Sequence, residues 1–350
     1  MKRWPEIIMR NARTAGLILG LLLSATRLGL GQPARRAPVT TTPHFVFYSD
    51  VETNLNDALI NVGVARRFRR PQLFHDGDEV ACFNKLPSPV RAAWERAADY
   101  YAEIISPSGS NSRERYLLRV QLAGMTDELK DADARQFVEI VQSFRAAAAP
   151  AYRACRWTAQ DEKNRKWIEA AKMQLAAEEQ KVAARLQQLY QKQWTLPIPV
   201  DVVQTVDFSG ANTILGKPGS GHILIAIENE PAYALEVVFH EASHILMDHN
   251  DPLREALNKA ATAADFKQPG DLWHVVLFYT TGEAVRRILN QDNKPEYKPM
   301  LYAMFDRGIW VNYRDVLEKT WTPYLENQQT LSQAAAGLIE ALQQQPPSPH

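Results

Sequence analysis

Apolar residues recur at three- and four-residue spacings along most of this chain, and the two-residue alternation of strands is confined to a few short stretches. IEAAKMQLAAEEQKVAARLQQLYQKQW (168–194) sets apolar positions between charges at helical spacing, within a segment from about Asp131 to Gln193 that is rich in Ala, Glu, Gln, Lys, Arg and Leu. Pro150 is its one obvious break, so a helical hairpin or a long packing helix is predicted. Further helices are predicted over Pro89–Ile105, with Ser88 as N-cap, and over 231–249, 271–289, 312–321 and 330–342. Strands are predicted for HFVFYSD (44–50), PIPVDVVQTV (197–206) and GHILIAIEN (221–229), whose β-branched and aromatic residues suit a pleated surface. RYLLRVQLAG (115–124) reads equally as strand or helix. The fold class is therefore α+β and mostly helical, with a small mixed sheet packed against the helix of 231–249.

The first residues have a different texture. Lys2, Arg3, Arg10 and Arg13 precede the apolar run Ala15–Ala25, which has the length of a signal-peptide core and is shorter than the roughly 20 residues of a membrane-spanning helix. Residues 1–31 are expected to be a signal peptide cleaved before Gln32 or after Ala25, the alternative being an uncleaved anchor. Export to a periplasmic or extracellular location follows, with no stable membrane span after cleavage. Behind it come a Pro- and Thr-rich linker (32–44), a helix-rich region (45–195), a second region (196–343) and a Gln- and Pro-rich tail (344–350) expected to be disordered.

Charge changes the picture only by exclusion. The 40 basic and 40 acidic residues balance, and losing residues 1–31 (five positive charges, one negative) would leave the remainder at −4. No basic tract remains to suggest a nucleic-acid partner. Cys82 and Cys155 are the two cysteines, either a disulfide closing a long loop or a pair of buried thiols.

The chemistry concentrates in HEASH (240–244). Residues four apart share a helix face, about 6 Å along the axis, so the imidazoles of His240 and His244 can converge on one Zn²⁺. Glu241, one residue round, is placed to act on a metal-bound water as a general base. A catalytic site also needs a third protein ligand. Asp248 and His249 lie too far along the same helix for a shared ion. Glu283, in YTTGEAVRR, is an acidic residue in an apolar helix that wants a cationic partner. That partner is either the metal or Arg287 at i+4. His274 projects from the opposite side of the same helix and is the alternative third ligand.

HEASH, preceded by a β-rich edge and followed by a helical TTGEA, resembles the zincin metallopeptidases. It is most similar to their gluzincin branch, which includes thermolysin and the membrane alanyl-type aminopeptidases. The resemblance covers residues 196–290 and is specific only in the HExxH element. It implies that His240, His244 and Glu283 ligate zinc, that Glu241 activates water, and that ILIAIEN forms the sheet edge on which an extended peptide pairs. It also departs from the pattern: Gly282-Glu283 stands where thermolysin-like enzymes carry Asn-Glu. AIEN (226–229) only partly echoes the aminopeptidase edge motif, which would give Glu228 an amine-binding role. Tyr279, Tyr297, Tyr302 and Tyr313 are candidate oxyanion donors. The expected function is an exported zinc-dependent peptidase acting on peptide or protein substrates. The alternative is a zinc-binding scaffold on the same fold without turnover, and Glu241 favours catalysis because a structural site has no use for a base.

Overall fold

The computed structural model describes residues 37–68, 77–105, 112–206, 210–248, 251–290, 296–306 and 310–344. The signal-peptide reading of 1–31, His249 and the end of the tail lie outside them. From Ala37 onward the chain clusters as one compact unit.

In chain order the elements begin with β1 (Thr40–Thr41), β2 (Phe45–Tyr48), α1 (Val51–Arg67), α2 (Gly77–Lys85), α3 (Ser88–Tyr100) and α4 (Arg113–Leu122). Then follow α5 (Ala132–Tyr152), α6 (Thr158–Tyr190), β3 (Ile198–Val203), β4 (Ala211–Leu215) and β5 (Gly221–Ala226). The last are α7 (Ala234–Leu246), α8 (Pro252–Ala263), α9 (Leu272–Leu289), α10 (Arg314–Thr320) and α11 (Leu331–Gln343), with short helical turns between. The chain is thus α+β and mostly helical. Its five strands are ordered β1-β2-β3-β5-β4, with β2, β3 and β5 parallel and both outer strands antiparallel to their neighbours.

Three readings of the pattern change here. RYLLRVQLAG is helix α4 with its N-cap at Ser112, whose side chain accepts from the Arg115 amide. Pro150 does not stop its helix. Placed in the last turn of α5, it is followed by a π-helical turn, Arg153–Trp157, through which the backbone stays helical into α6. Pro252, which lies beyond the end of α7, also starts a helix that the pattern did not predict: it occupies the first turn of α8, behind an Asp251 cap.

The boundary expected at 195/196 runs through a shared sheet and core. Phe45 and Phe47 of β2 pair in register with Ile198 and Val200 of β3. Trp167, Ile168, Ala171, Leu175, Val182 and Leu186 of α6 are buried in the same cluster as the sheet and α7. Two indoles fasten the long helix and its exit to this core, Trp167 Nε1 donating to Asn229 O (2.6 Å) and Trp194 Nε1 to Ala242 O (2.8 Å).

Helix α7 is the centre of the molecule. Nearly every residue from Ala234 to Leu246 is buried, as a helix apolar around its whole circumference must be. Gly221 of β5 lets it approach the sheet. A Cβ there would lie 2.8 Å from Ile245 Cγ1 and 2.9 Å from Ile214 O. Cys82 and Cys155 form a disulfide between α2 and the π-turn. No helix among the described residues is long and apolar enough to cross a membrane.

Candidate metal centre

Helix α7 carries His240, Glu241 and His244 one turn apart, and α9 packs across it with His274 near its start. The three imidazoles meet: ring centroids lie 5.0 Å apart for His240–His244, 5.7 Å for His240–His274 and 5.0 Å for His244–His274. One ring nitrogen from each falls within 4.8 Å of the others, the spacing of a shared tetrahedral ion.

The surroundings fit a metal. His240 Nδ1 and His274 Nε2 are buried without a hydrogen-bond partner, and a buried imidazole nitrogen left so is costly unless something else ligates it. All three rings are held neutral, the form that binds metal. Burial, then the charges of His244 and His274, pushes His240 well below its usual range. Burial, His274 and Arg254 bring His244 down to about 3. His274 falls to about 4, mainly through burial, with Asp271 opposing the shift and Arg254 adding to it.

Aromatic residues wall the cluster. Phe278 lies 4.1 Å from the His240 ring, and Trp273 stacks beside His274 at 5.0 Å. Trp310 meets His274 edge-on and donates its indole N–H to Asp271 at 2.9 Å. A hydroxyl relay from Ser243 through Thr281 to Tyr190 fixes α7 against α9 and α6.

Glu241 is 6% exposed, and its carboxylate faces the edge strand. Thr213 Oγ1 of β4 lies 2.6 Å from Glu241 Oε2 and 2.8 Å from the Glu241 carbonyl. Burial lifts the Glu241 carboxyl to about 7, against the lowering effects of Thr213 and the Arg119 charge. An acid poised near neutrality beside a metal-capable cluster is the arrangement a general base requires.

The structure does not bring Glu283 to the histidine pair. Its carboxylate accepts from Arg286 Nε and Nη2 (2.7 and 2.8 Å), from Arg287 Nε (3.0 Å) and from the Tyr302 hydroxyl. Burial alone would raise its pKa, but Arg286, Tyr302 and Arg287 outweigh it and hold the group ionised. His274 is the residue that joins the histidine pair, and Glu283 belongs to a buried ion-pair network. Asp248 is likewise spent on Lys192.

The edge strand also differs from expectation. ILIAIEN lies inside the sheet as β5, flanked by β3 and β4, and Glu228 follows it on the exposed surface. The edge is β4, ANTIL, with Thr213 directed to Glu241. Three of the candidate tyrosines are committed elsewhere: Tyr279 to Thr322 (2.8 Å), Tyr297 to Glu236 and Tyr302 to Glu283. Tyr313 is half-buried, its pKa raised by burial and by Asp271. Sequence reasoning missed Thr213 and the aromatic wall, whose placement arises only from packing of β4, α9 and the turn before α10 onto α7. Compared with known proteins, the chain matches no family model, no curated protein and no solved structure.

Proposed function

We propose that this protein is an exported, zinc-dependent hydrolase of peptide bonds, with His240, His244 and His274 as the metal ligands and Glu241 as the general base. The observation that carries the reading is the convergence of three neutral imidazoles from two helices beside a buried carboxylate poised near neutrality. A tris-histidine donor set suits zinc, and the ion when bound would supply a Lewis acid and lower the pKa of a coordinated water.

The chain's own residues do the rest. Glu241 Oε2 is engaged by Thr213, which leaves Oε1 to accept a proton from the attacking water and return it to the departing amine. Asp271, held by the Trp310 indole, places a negative charge near His274. Strand β4 is the outer strand of the sheet on the side of α7 and carries Thr213 toward Glu241, so an extended substrate lying along it would pass the base. The same strand that holds the base would then hold the substrate. The aromatic wall excludes bulk water from the centre. The Cys82–Cys155 disulfide suits a chain that matures in an oxidising compartment.

The test is incubation of zinc-loaded wild type and Glu241→Gln with a mixed peptide library, read by mass spectrometry, with metal content measured on both. The reading expects cleavage by wild type and a loss of at least about a hundredfold in the variant at equal metal content. Equal inactivity with zinc retained would turn the assignment to a metal-binding scaffold without turnover.

A further inference from the structure

Beside the metal centre an open groove of about 860 Å³ runs along α8, lined by Asp251, Arg254, Glu255, Asn258 and Lys259. Its inner end is Arg254. The guanidinium carbon sits 3.6 Å from the centroid of the Trp273 ring, and Trp273 itself lies against His244 (5.8 Å) and His274 (5.0 Å). One indole therefore separates this cation from the histidine cluster.

Arg254 is fixed but not consumed by this arrangement. Asp251 approaches its Nε at 3.4 Å, but that carboxylate is completely buried and its other oxygen accepts the Arg254 backbone N–H at 2.8 Å as the cap of α8. Arg254 Nε is buried against Asp251, and the side chain as a whole keeps 23% exposure where it lines the groove. A guanidinium seated over an indole, with Nε turned to Asp251 and the rest of the side chain partly exposed, is pre-organised to offer its terminal N–H groups to a carboxylate in the groove.

We propose that Arg254 is a specificity residue that anchors a carboxylate of the substrate, so that peptides carrying a negative charge close to the scissile bond are preferred. This rests on the hydrolase reading above. The carboxylate has two possible sources, the C-terminus of a peptide or an Asp or Glu side chain, and the groove's open outer end admits either.

The experiment uses the zinc-loaded full chain and four peptides of one sequence: free C-terminus or amide, each with Glu or Gln beside the cleavage point. Wild type is expected to favour one carboxylate-bearing member by roughly tenfold in kcat/KM. The pair that shows the ratio identifies the source. In Arg254→Gln the ratio falls to near one, and in Arg254→Lys it is partly kept. Metal content measured on each variant separates this from damage to the centre. A wild-type ratio near one, or a ratio that survives Arg254→Gln, overturns the anchor while leaving the hydrolase reading intact. If no peptide is cleaved, the hydrolase reading fails by itself. The anchor is then judged from equilibrium binding of the same four peptides to zinc-loaded Glu241→Gln, where equal affinities would overturn it.

Discussion

Thr213 Oγ1 lies 2.6 Å from Glu241 Oε2, joining the edge of the sheet to the carboxylate that follows His240 on α7. The contact stabilises the ionised form of a group that burial would otherwise keep protonated. Thr213→Val keeps the shape and removes the hydroxyl. The acid limb of the pH–rate profile should then move to higher pH, and activity at pH 7 should fall more than activity at pH 9. A uniform loss across the profile would mean that Thr213 contributes packing alone.

The assignment of His274 makes a sharp contrast with Glu283. His274→Ala should weaken zinc binding by at least about a hundredfold, measured by competition with a chromophoric chelator. Glu283→Gln should leave zinc affinity within a few-fold and lower thermal stability instead. It strips a buried, arginine-bound carboxylate, whose partners Arg286 and Arg287 are about one-third exposed and can hydrate. A cost of roughly 1–3 kcal/mol is expected.

The histidines also predict how the metal-free protein responds to acid. His244 and His274 titrate near 3 and 4 when folded and near 6.5 when unfolded, and His240 shifts in the same direction. The unfolded chain therefore binds more protons below pH 6.5. The stability these rings contribute is complete above 6.5 and is lost as pH falls toward 4 and 3. Chemical denaturation of the chelated protein at a series of pH values should show that slope, and zinc, which binds only the neutral rings of the folded chain, should raise stability and leave the slope at least as steep over the range where the ion stays bound.

Glu241 acts in the opposite sense. Its folded pKa of about 7 lies above the unfolded 4.5, so its ionisation costs stability as pH rises between those values. Metal-free Glu241→Gln should consequently be more stable than wild type at pH 8, by on the order of 1–3 kcal/mol, and no more stable at pH 4. A base kept in an environment that disfavours its charge is a stability cost accepted for function.

The sequence carried the parts of the site that depend on one helix. His240, Glu241 and His244 follow from a single periodicity, and the burial of Val238, Phe239, Ala242 and Ile245 follows from the same pattern. The third ligand depends on how α9 crosses α7, and periodicity places Glu283 and His274 on opposite sides of α9 without saying which side meets the pair. Arg287 was legible as a partner for Glu283, but the burial of that pair was not. The edge strand was hidden for a different reason. ANTIL is short, buries only Ala211 and Ile214, and lies between glycines at 210 and 216, so it reads as a loop. Strand β5 (GHILIA), by contrast, is buried from His222 to Ala226 because strands flank it on both sides, a continuous run that suits the interior of a sheet better than its edge. The segment PLREALNKAATA was obscured by Pro252, which both ends and begins helices.

X-ray absorption spectroscopy of the zinc-loaded protein tests the central claim most directly. The account predicts one ion per chain with three imidazole nitrogens at about 2.0–2.1 Å and an oxygen from solvent, and a nitrogen count that drops to two in His274→Ala. A wild-type spectrum with two imidazoles and a carboxylate that disappears in Glu283→Gln, or a protein that takes up no zinc, would contradict it.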